Sequence, residues 1–270
     1  PNPQSPIPNP QSPYFLLYVH IYLKINIFTI YNINKYIKMS EIPEVYIYML
    51  ESMDGLGTGS FLEEAGEAVT DYFNREYSFG SKAILSGRPT YEQGLPGPID
   101  LTKFKNEKVE RVDFVAQKQN DYYTIAIDPK GKLKWTSGFF CIFEDYGRKQ
   151  KANAITILTE EVKDDYLAYL KSINVSYIFA GKDTIDLKTA LSKLKKLFGI
   201  ERVLCEGGPT TNGLLLREDL VQKIIFYKCP YIATPGGKPV FGEAKLSKWN
   251  LETFEMMKDK STLILSYVKA

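Results

Sequence analysis

The sequence predicts an α/β domain on a central, largely parallel sheet, and three observations carry that expectation. From Glu44 onward, short β-branched and aromatic runs alternate with stretches of helical periodicity. Several apolar runs lead directly into turn residues, as strand-to-helix connections require. A chain of 270 residues, 44% hydrophobic and 24% charged, can also bury a full core, which excludes global disorder.

Val45 to Leu50 (VYIYML) reads as the first strand, ending in Ser52-Met53-Asp54-Gly55, where Asp-Gly signals a turn. A helix follows, with Leu62, Ala65, Val69, Tyr72 and Phe73 on one face and Gly80 just past its end. Lys82 to Ser86 is the second strand and runs into Gly87-Arg88-Pro89-Thr90-Tyr91-Glu92. The long stretch from 94 to 151 reads as an elaboration on the sheet. It holds an expected hairpin, Tyr122–Asp128 and Lys132–Trp135 around Pro129-Lys130-Gly131.

Regularity then returns. Ala154 to Leu158 is a strand, and the helix after it carries Val162, Tyr166, Leu170 and Ile173 on one face. Val175 to Phe179 is a strand ending at Ala180-Gly181; Asp186 is placed to cap a helix bearing Leu187, Ala190, Leu191, Leu194 and Phe198, stopped by Gly199. Arg202 to Glu206 is a strand running into Gly207-Gly208-Pro209-Thr210 and a short helix through Leu216. Lys223 to Ile232 is expected to be one long strand, and Phe254 to Val268 a closing antiparallel hairpin around Lys258–Lys260.

The first residues are of another kind. PNPQSPI followed by PNPQSP is a proline-rich repeat that cannot pack a core, and a repeated CCCAATC read in triplets encodes it letter for letter. Residues 14 to 38 are rich in Tyr, Ile, Asn and Lys, the products of A/T-rich codons. The expectation is that residues 1–38 are a disordered or artefactual extension and that the domain runs from Met39 to Ala270. Tyr14 to Ile33 approaches the length of a membrane span, but Lys24, Asn26 and Asn32 interrupt it, Asn34 follows it, and the proline-rich start lacks a basic segment.

Composition narrows the function. The formal charge of +2 disappears once Lys24, Lys35 and Lys38 are set aside, leaving 31 basic against 32 acidic residues, so nucleic acid is not an expected partner. Cys141, Cys205 and Cys229 are widely spaced and odd in number, which reads as reduced thiols in a cytoplasmic protein. The one histidine, His20, lies in the anomalous segment. Histidine-based triads and metal sites are therefore not expected in the domain, and no metal is assigned.

In an open α/β sheet, ligands bind beyond the carboxyl ends of the strands. Glu206-Gly207-Gly208-Pro209-Thr210-Thr211 puts two glycines between a strand and a helix start, where bare backbone approaches a phosphate and the helix end favours negative charge. The same residues also suit a turn that needs glycine only for its geometry. Gly87-Arg88-Pro89-Thr90 repeats the logic with a guanidinium able to fork onto phosphate oxygens. Thr159 and Ala180-Gly181 are placed for the adenosine end of a dinucleotide. None of the four matches the Walker loop or the Rossmann fingerprint, so together they suggest a dinucleotide held in a non-Rossmann way.

The runs ILSGRPTYE and RVLCEGGPTTNGLLLREDLVQKIIFYKCPYI closely resemble the pyrimidine reductase of riboflavin biosynthesis, the RibD C-terminal domain, and the first is shared with dihydrofolate reductases. The resemblance runs from Val45 to the C-terminus and is weakest over 94–151. It implies a dihydrofolate-reductase-like fold, helices on both sheet faces, NADPH as cofactor and a homodimer. By carry-over, Gly207, Gly208, Thr210 and Thr211 line the pyrophosphate, Arg88 and Thr90 contact phosphates, and Thr159 lies near the adenosine 2′-phosphate. Gly207-Gly208 falls where dihydrofolate reductases hold a cis peptide. The zinc deaminase motifs of the bifunctional enzymes are absent.

Hydride transfer needs a proton source or a group that stabilises developing charge. Without histidine a carboxylic acid is expected, and three are candidates. Asp54 follows the first strand, where it also suits a turn; Asp71 lies at the dihydrofolate reductase acid's distance from the Gly-Arg motif, yet is equally readable as solvent-facing; Glu206 sits at a buried strand end, as acid or brace. The expected reaction is reduction of a C=N or C=O bond in a small heterocycle, a 5-amino-6-(5-phosphoribosylamino)uracil-type pyrimidine. A pteridine reductase and a non-catalytic NADPH-binding protein are the alternatives.

Overall fold

The computed structural model describes residues 20–21, 23–24, 41–95 and 99–270. The chain divides into two compact units, Pro1–Glu41 and Ile42–Ala270. In the first, His20, Ile21, Leu23 and Lys24 are helical, and the expectations for residues 1–38 and for Met39 otherwise fall outside the described residues.

The second unit is organised by one sheet. Its strands are β1 (Glu44–Glu51), β2 (Ala83–Gly87), β3 (Tyr123–Ile127), β4 (Phe139–Phe140), β5 (Ala152–Leu158), β6 (Ser176–Phe179), β7 (Arg202–Cys205), β8 (Lys223–Lys228), β9 (Trp249–Met256) and β10 (Leu263–Lys269). They lie in the order β4-β5-β3-β2-β7-β1-β8-β10-β9, with β6 also on β5. The pairs from β6 through β8 are parallel, and the sheet closes with the expected antiparallel β9–β10 hairpin.

The helices are α1 (Phe61–Glu64), α2 (Gly66–Arg75), α3 (Arg88–Glu92), α4 (Asp164–Ser172), α5 (Leu187–Phe198) and α6 (Pro209–Arg217). Strand alternation divides their packing. Val45, Ile47 and Met49 of β1 join the cluster that holds Leu191 and Leu194 of α5 and Leu215 of α6. Tyr48 and Leu50 face the opposite way, onto Val69 and Tyr72 of α2, so helices cover both faces. Further along that second face, α4 packs Tyr166, Leu167 and Leu170 against Ala154 and Leu158. Helix α5 begins and ends as its sequence prescribes: Asp186 accepts from the Lys188 and Thr189 amides at 3.0 and 3.1 Å, and Gly199 closes it at φ 66°.

Three expectations are corrected. The Tyr122–Asp128 run forms β3, but it pairs in parallel between β2 and β5, and Lys132–Trp135 is not a strand. The turn at Gly131 is real, with φ 62°. After it, however, the Lys132 and Leu133 amides bond to the Asp128 carboxylate and Leu133 and Trp135 bury in the α4 cluster. The expected first helix is broken at Ala65 into α1 and α2. The strand expected to run to Ile232 stops at Lys228, and β8 is paired on both sides, with β1 and β10.

Candidate active site

Strand ends lie side by side along the carboxyl edge of the parallel sheet: Gly181 after β6, Thr159 after β5, Asp128 after β3, Arg88 after β2, Glu206 after β7 and Ser52 after β1. At its centre β2 and β7 are locked together, the Glu206 amide donating to the Leu85 carbonyl at 2.9 Å and the Gly87 amide to the Gly207 carbonyl at 2.8 Å. This pairing brings Gly87, Arg88, Gly207, Gly208, Thr210 and Thr211 to one corner.

That corner has the shape of a cradle. The Gly207–Gly208 peptide is cis, and Gly207 has φ 83°. Helix α6 starts immediately after it, with Pro209 in its first turn and no side chain capping its end, so its leading amides remain available to an anion. A Cβ on Gly87 would press on the Thr211 hydroxyl at 3.1 Å, whereas one on Gly208 would meet nothing within 4 Å. Gly208, Thr90 and Glu206 border a cavity of about 360 Å³, walled by Met49 and Leu50 of β1, Leu62 and Glu63 of α1, and Tyr72 and Phe73 of α2. Phe143 closes it from the 94–151 segment. A phosphate-bearing dinucleotide fits this combination of bare backbone, uncapped helix end and apolar slot.

Arg88 opens α3 and pairs with Glu92, one turn on, with Asp128 at 3.9 Å on its other side. Asp128 is buried: its Oδ2 accepts from the Lys132 and Leu133 amides, its Oδ1 has no hydrogen-bond partner, and burial pushes its carboxyl up. At the far end of the row, Thr159 is fully buried and its hydroxyl donates to the Pro129 carbonyl at 2.7 Å. Gly181, at φ 106°, leaves no space for a Cβ, which would lie 1.9 Å from the Thr184 carbonyl oxygen. These two residues are adjacent, since the Glu160 amide donates to the Gly181 carbonyl, but they do not border the cavity.

The three acids part company. Asp54 accepts from the Ser52 hydroxyl at 2.5 Å and from the Ala233 and Thr234 amides, and these hydrogen bonds, led by Ser52, hold its exposed carboxyl down at about 2. At neutral pH it has no proton to give. Asp71 accepts from Arg75 and from the Tyr227 hydroxyl, both at 2.9 Å, and borders a different cleft with Glu255 and Lys258. Of the three, Glu206 alone borders the cavity.

Sequence reading missed what surrounds Glu206. Arg148 is buried and its Nη2 donates to both Glu206 oxygens, at 2.7 and 2.8 Å, and to Glu76 Oε2 at 2.9 Å. Its guanidinium lies 4.5 Å from the centre of the Phe73 ring and 5.8 Å from that of Phe143. Glu206 lies in the glycine-rich run, but no local signal marks Glu76 or Arg148 or ties the three positions together. Glu63, the cavity's second carboxylate, was likewise unmarked. Beneath the floor, Tyr48 and Tyr72 stack at 4.1 Å and exchange hydrogen bonds between hydroxyls and main-chain carbonyls, which makes that wall rigid.

No metal-binding cluster of His, Cys, Asp or Glu occurs among the described residues, and no helix among them is long and apolar enough to cross a membrane. The three cysteines are free thiols.

Comparison with known proteins follows the same lines. No curated protein sequence matches the chain. Form 1 of Acinetobacter baumannii RibD superposes with a TM-score of 0.58 at 20% identity, covering 85% of this chain and 59% of that one. The riboflavin biosynthesis reductase Rib7 of Saccharomyces cerevisiae gives 0.57 at 20% identity, over 85% and 91%. A pyrimidine reductase-like protein of Corynebacterium diphtheriae gives 0.56 at 16%, over 84% and 92%. The chain thus spans about three fifths of the Acinetobacter protein's length, and these likenesses carry the dihydrofolate-reductase-like fold. The RibD C-terminal domain profile matches residues 63–265, most of the chain, and the protein belongs to the RibD C-terminal domain family.

Proposed function

We propose that the chain is an NADPH-dependent reductase of a C=N or C=O bond in a small heterocycle, a 5-amino-6-(5-phosphoribosylamino)uracil-type pyrimidine of riboflavin biosynthesis. The observation that carries this reading is the open Gly208 corner: a glycine with free space beside it, at an uncapped helix start, on the border of a cavity of about 360 Å³. Membership of the family supports the reaction class.

The cofactor would supply hydride. The chain's own residues do the rest: Gly207, Gly208 and the leading amides of α6 receive the pyrophosphate, with Arg88, Thr90 and Thr211 beside it. Phe73, Tyr72 and Phe143 give the slot apolar walls against which bound rings pack. Glu206, fixed by Arg148, is an acceptor toward the bound heterocycle, and Glu63 or water entering the open cavity brings the proton. The same reading makes the protein a cytoplasmic homodimer acting on small molecules, with the 94–151 segment as the family fold's elaboration.

A second reading has one observation in its favour. Because Asp54 and Asp71 are both engaged away from the cavity, a protein that binds NADPH without turning it over is the competing possibility. Stopped-flow loss of the reduced cofactor's absorbance on mixing with candidate phosphoribosylated pyrimidines decides between them. Oxidation by any of them is expected; binding with no oxidation by the whole class overturns the reductase reading.

A further inference from the structure

The triad Glu76–Arg148–Glu206 is expensive to build. Two carboxylates and one guanidinium sit 0%, 7% and 3% exposed in the order Glu76, Glu206, Arg148, so the cluster carries one more potential negative charge than positive, with little contact with water. A buried ion cluster of this kind adds little net stability, because desolvation consumes the Coulombic gain. Something other than stability accounts for it better.

Its placement says what. Each member comes from a different part of the chain: Glu76 from the single turn that follows α2, Arg148 from the end of the 94–151 segment, Glu206 from the corner after β7. Glu206 and both rings beside the guanidinium, Phe73 and Phe143, border the cavity. The Phe143 main chain is left-handed, at φ 62°, so this segment reaches the cavity in a conformation that its neighbours must hold. Arg148 is the only residue among those described that bonds Glu206 and Glu76 together.

We propose that Arg148 is a positioning residue of the reductase site, fixing the Glu206 carboxylate and the Phe73–Phe143 wall, and that the proton held or released by Glu76 sets the net charge that a bound dinucleotide meets there. The proposal rests on the cofactor reading above and deepens it. Glu76 is built for that titration. One of its oxygens accepts from Arg148, and the other, Oε1, is buried with only the neighbouring Tyr77 hydroxyl beside it. The groups facing it are Arg148 and Cys141 from the 94–151 segment, Glu206 from the β7 corner, Tyr72 from α2 and Tyr77 on its own turn. Burial first, with Glu206 adding to it against the opposing pull of Arg148, raises its carboxyl to about 7. With a proton on Glu76 the triad has one negative charge fewer than without it; its release adds negative charge beside the site for a polyanion, and binding weakens.

Glu76→Gln tests this on the full chain, because the amide keeps the shape and mimics the protonated acid at every pH. NADPH affinity is measured by calorimetry for both proteins between about pH 5.5 and 8.5, and their ratio removes the ligand's own titration. The two proteins should bind alike at the acid end, and the unsubstituted protein should fall roughly threefold behind Glu76→Gln at the alkaline end, the scale of one added charge beside a polyanion in a partly screened site. A ratio that stays flat overturns the inference alone, and binding by neither protein overturns the cofactor reading together with it. Arg148→Lys gives the second arm: an ammonium cannot fork across both carboxylates, so affinity falls at every pH in the folded protein. A variant that merely melts earlier while binding normally removes Arg148 from the site.

Discussion

Gly181 and Gly208 carry the same signal in the sequence, a glycine just past a buried parallel strand, and the structure gives them opposite meanings. At Gly181 the space where a side chain would stand is filled by the chain itself, the Thr184 carbonyl oxygen lying 1.9 Å from an ideal Cβ. At Gly208 nothing lies within 4 Å, and the vacant side opens on the cavity. One glycine makes room for its own loop, and the other has no part of the chain beside it. A glycine at a strand end is therefore not by itself a sign of a ligand site, and the test of each is what its missing Cβ would touch.

The largest effect expected from this contrast is on folding. Gly181→Ala combines φ 106° with a main-chain collision and should cost roughly 2–4 kcal/mol, read as a shift in the urea midpoint with the cofactor affinity of the folded fraction unchanged. A cost below about 0.5 kcal/mol would show that the loop has another conformation and that the contrast is false.

Gly208→Ala should do the reverse. With open space at its Cβ and φ −70°, the substitution leaves stability within about 0.5 kcal/mol. If a pyrophosphate occupies that space, NADPH affinity drops at least tenfold, about 1.4 kcal/mol. Undiminished affinity would leave the corner as a turn and nothing more.

What the sequence disclosed and what it concealed divide along the same line. Strands β1, β2, β5 and β7, the Asp186 cap and the Gly199 stop were legible because each is local: an apolar run, a capping oxygen, a left-handed glycine. The Lys132–Trp135 strand failed because alternation of Leu133 and Trp135 describes burial on one side without saying which partner buries them. That partner is a helix, and the backbone there is satisfied by the Asp128 carboxylate in place of a strand neighbour. The Gly207–Gly208 corner was readable as the run Glu206–Thr211. The clamp behind it was not, since Glu76, Arg148 and Glu206 meet only after the sheet has brought together residues separated by 72 and 58 positions. Asp54 shows why two readings stayed open: an acid in an Asp-Gly turn looks the same in sequence whether it faces a substrate or bonds the chain, and here it accepts from the Ala233 and Thr234 amides.

Between the two extremes stands Arg88, which belongs to the open corner by position and to the closed row by its partners Glu92 and Asp128. If it serves phosphate, Arg88→Gln weakens NADPH roughly three- to tenfold, about 1 kcal/mol, and flattens the salt dependence of binding. Unchanged salt dependence would assign the guanidinium to the Asp128 corner alone, as the counter-charge of a buried carboxylate.

The smallest effect is the sharpest on the closed side. Thr159 spends its hydroxyl on the Pro129 carbonyl and is fully buried, so Thr159→Val should cost about 0.5–1 kcal/mol of stability, one internal hydrogen bond, and change cofactor affinity less than about twofold. Its resemblance-based role near the adenosine 2′-phosphate requires a different pattern. The hydroxyl would have to leave Pro129 when the cofactor arrives, and its loss would then weaken NADPH while leaving NADH untouched. Measuring both cofactors on the one variant separates these cases: equal, near-normal affinities keep Thr159 inside the fold, and a selective loss of NADPH binding would extend the open corner along the sheet to the end of β5.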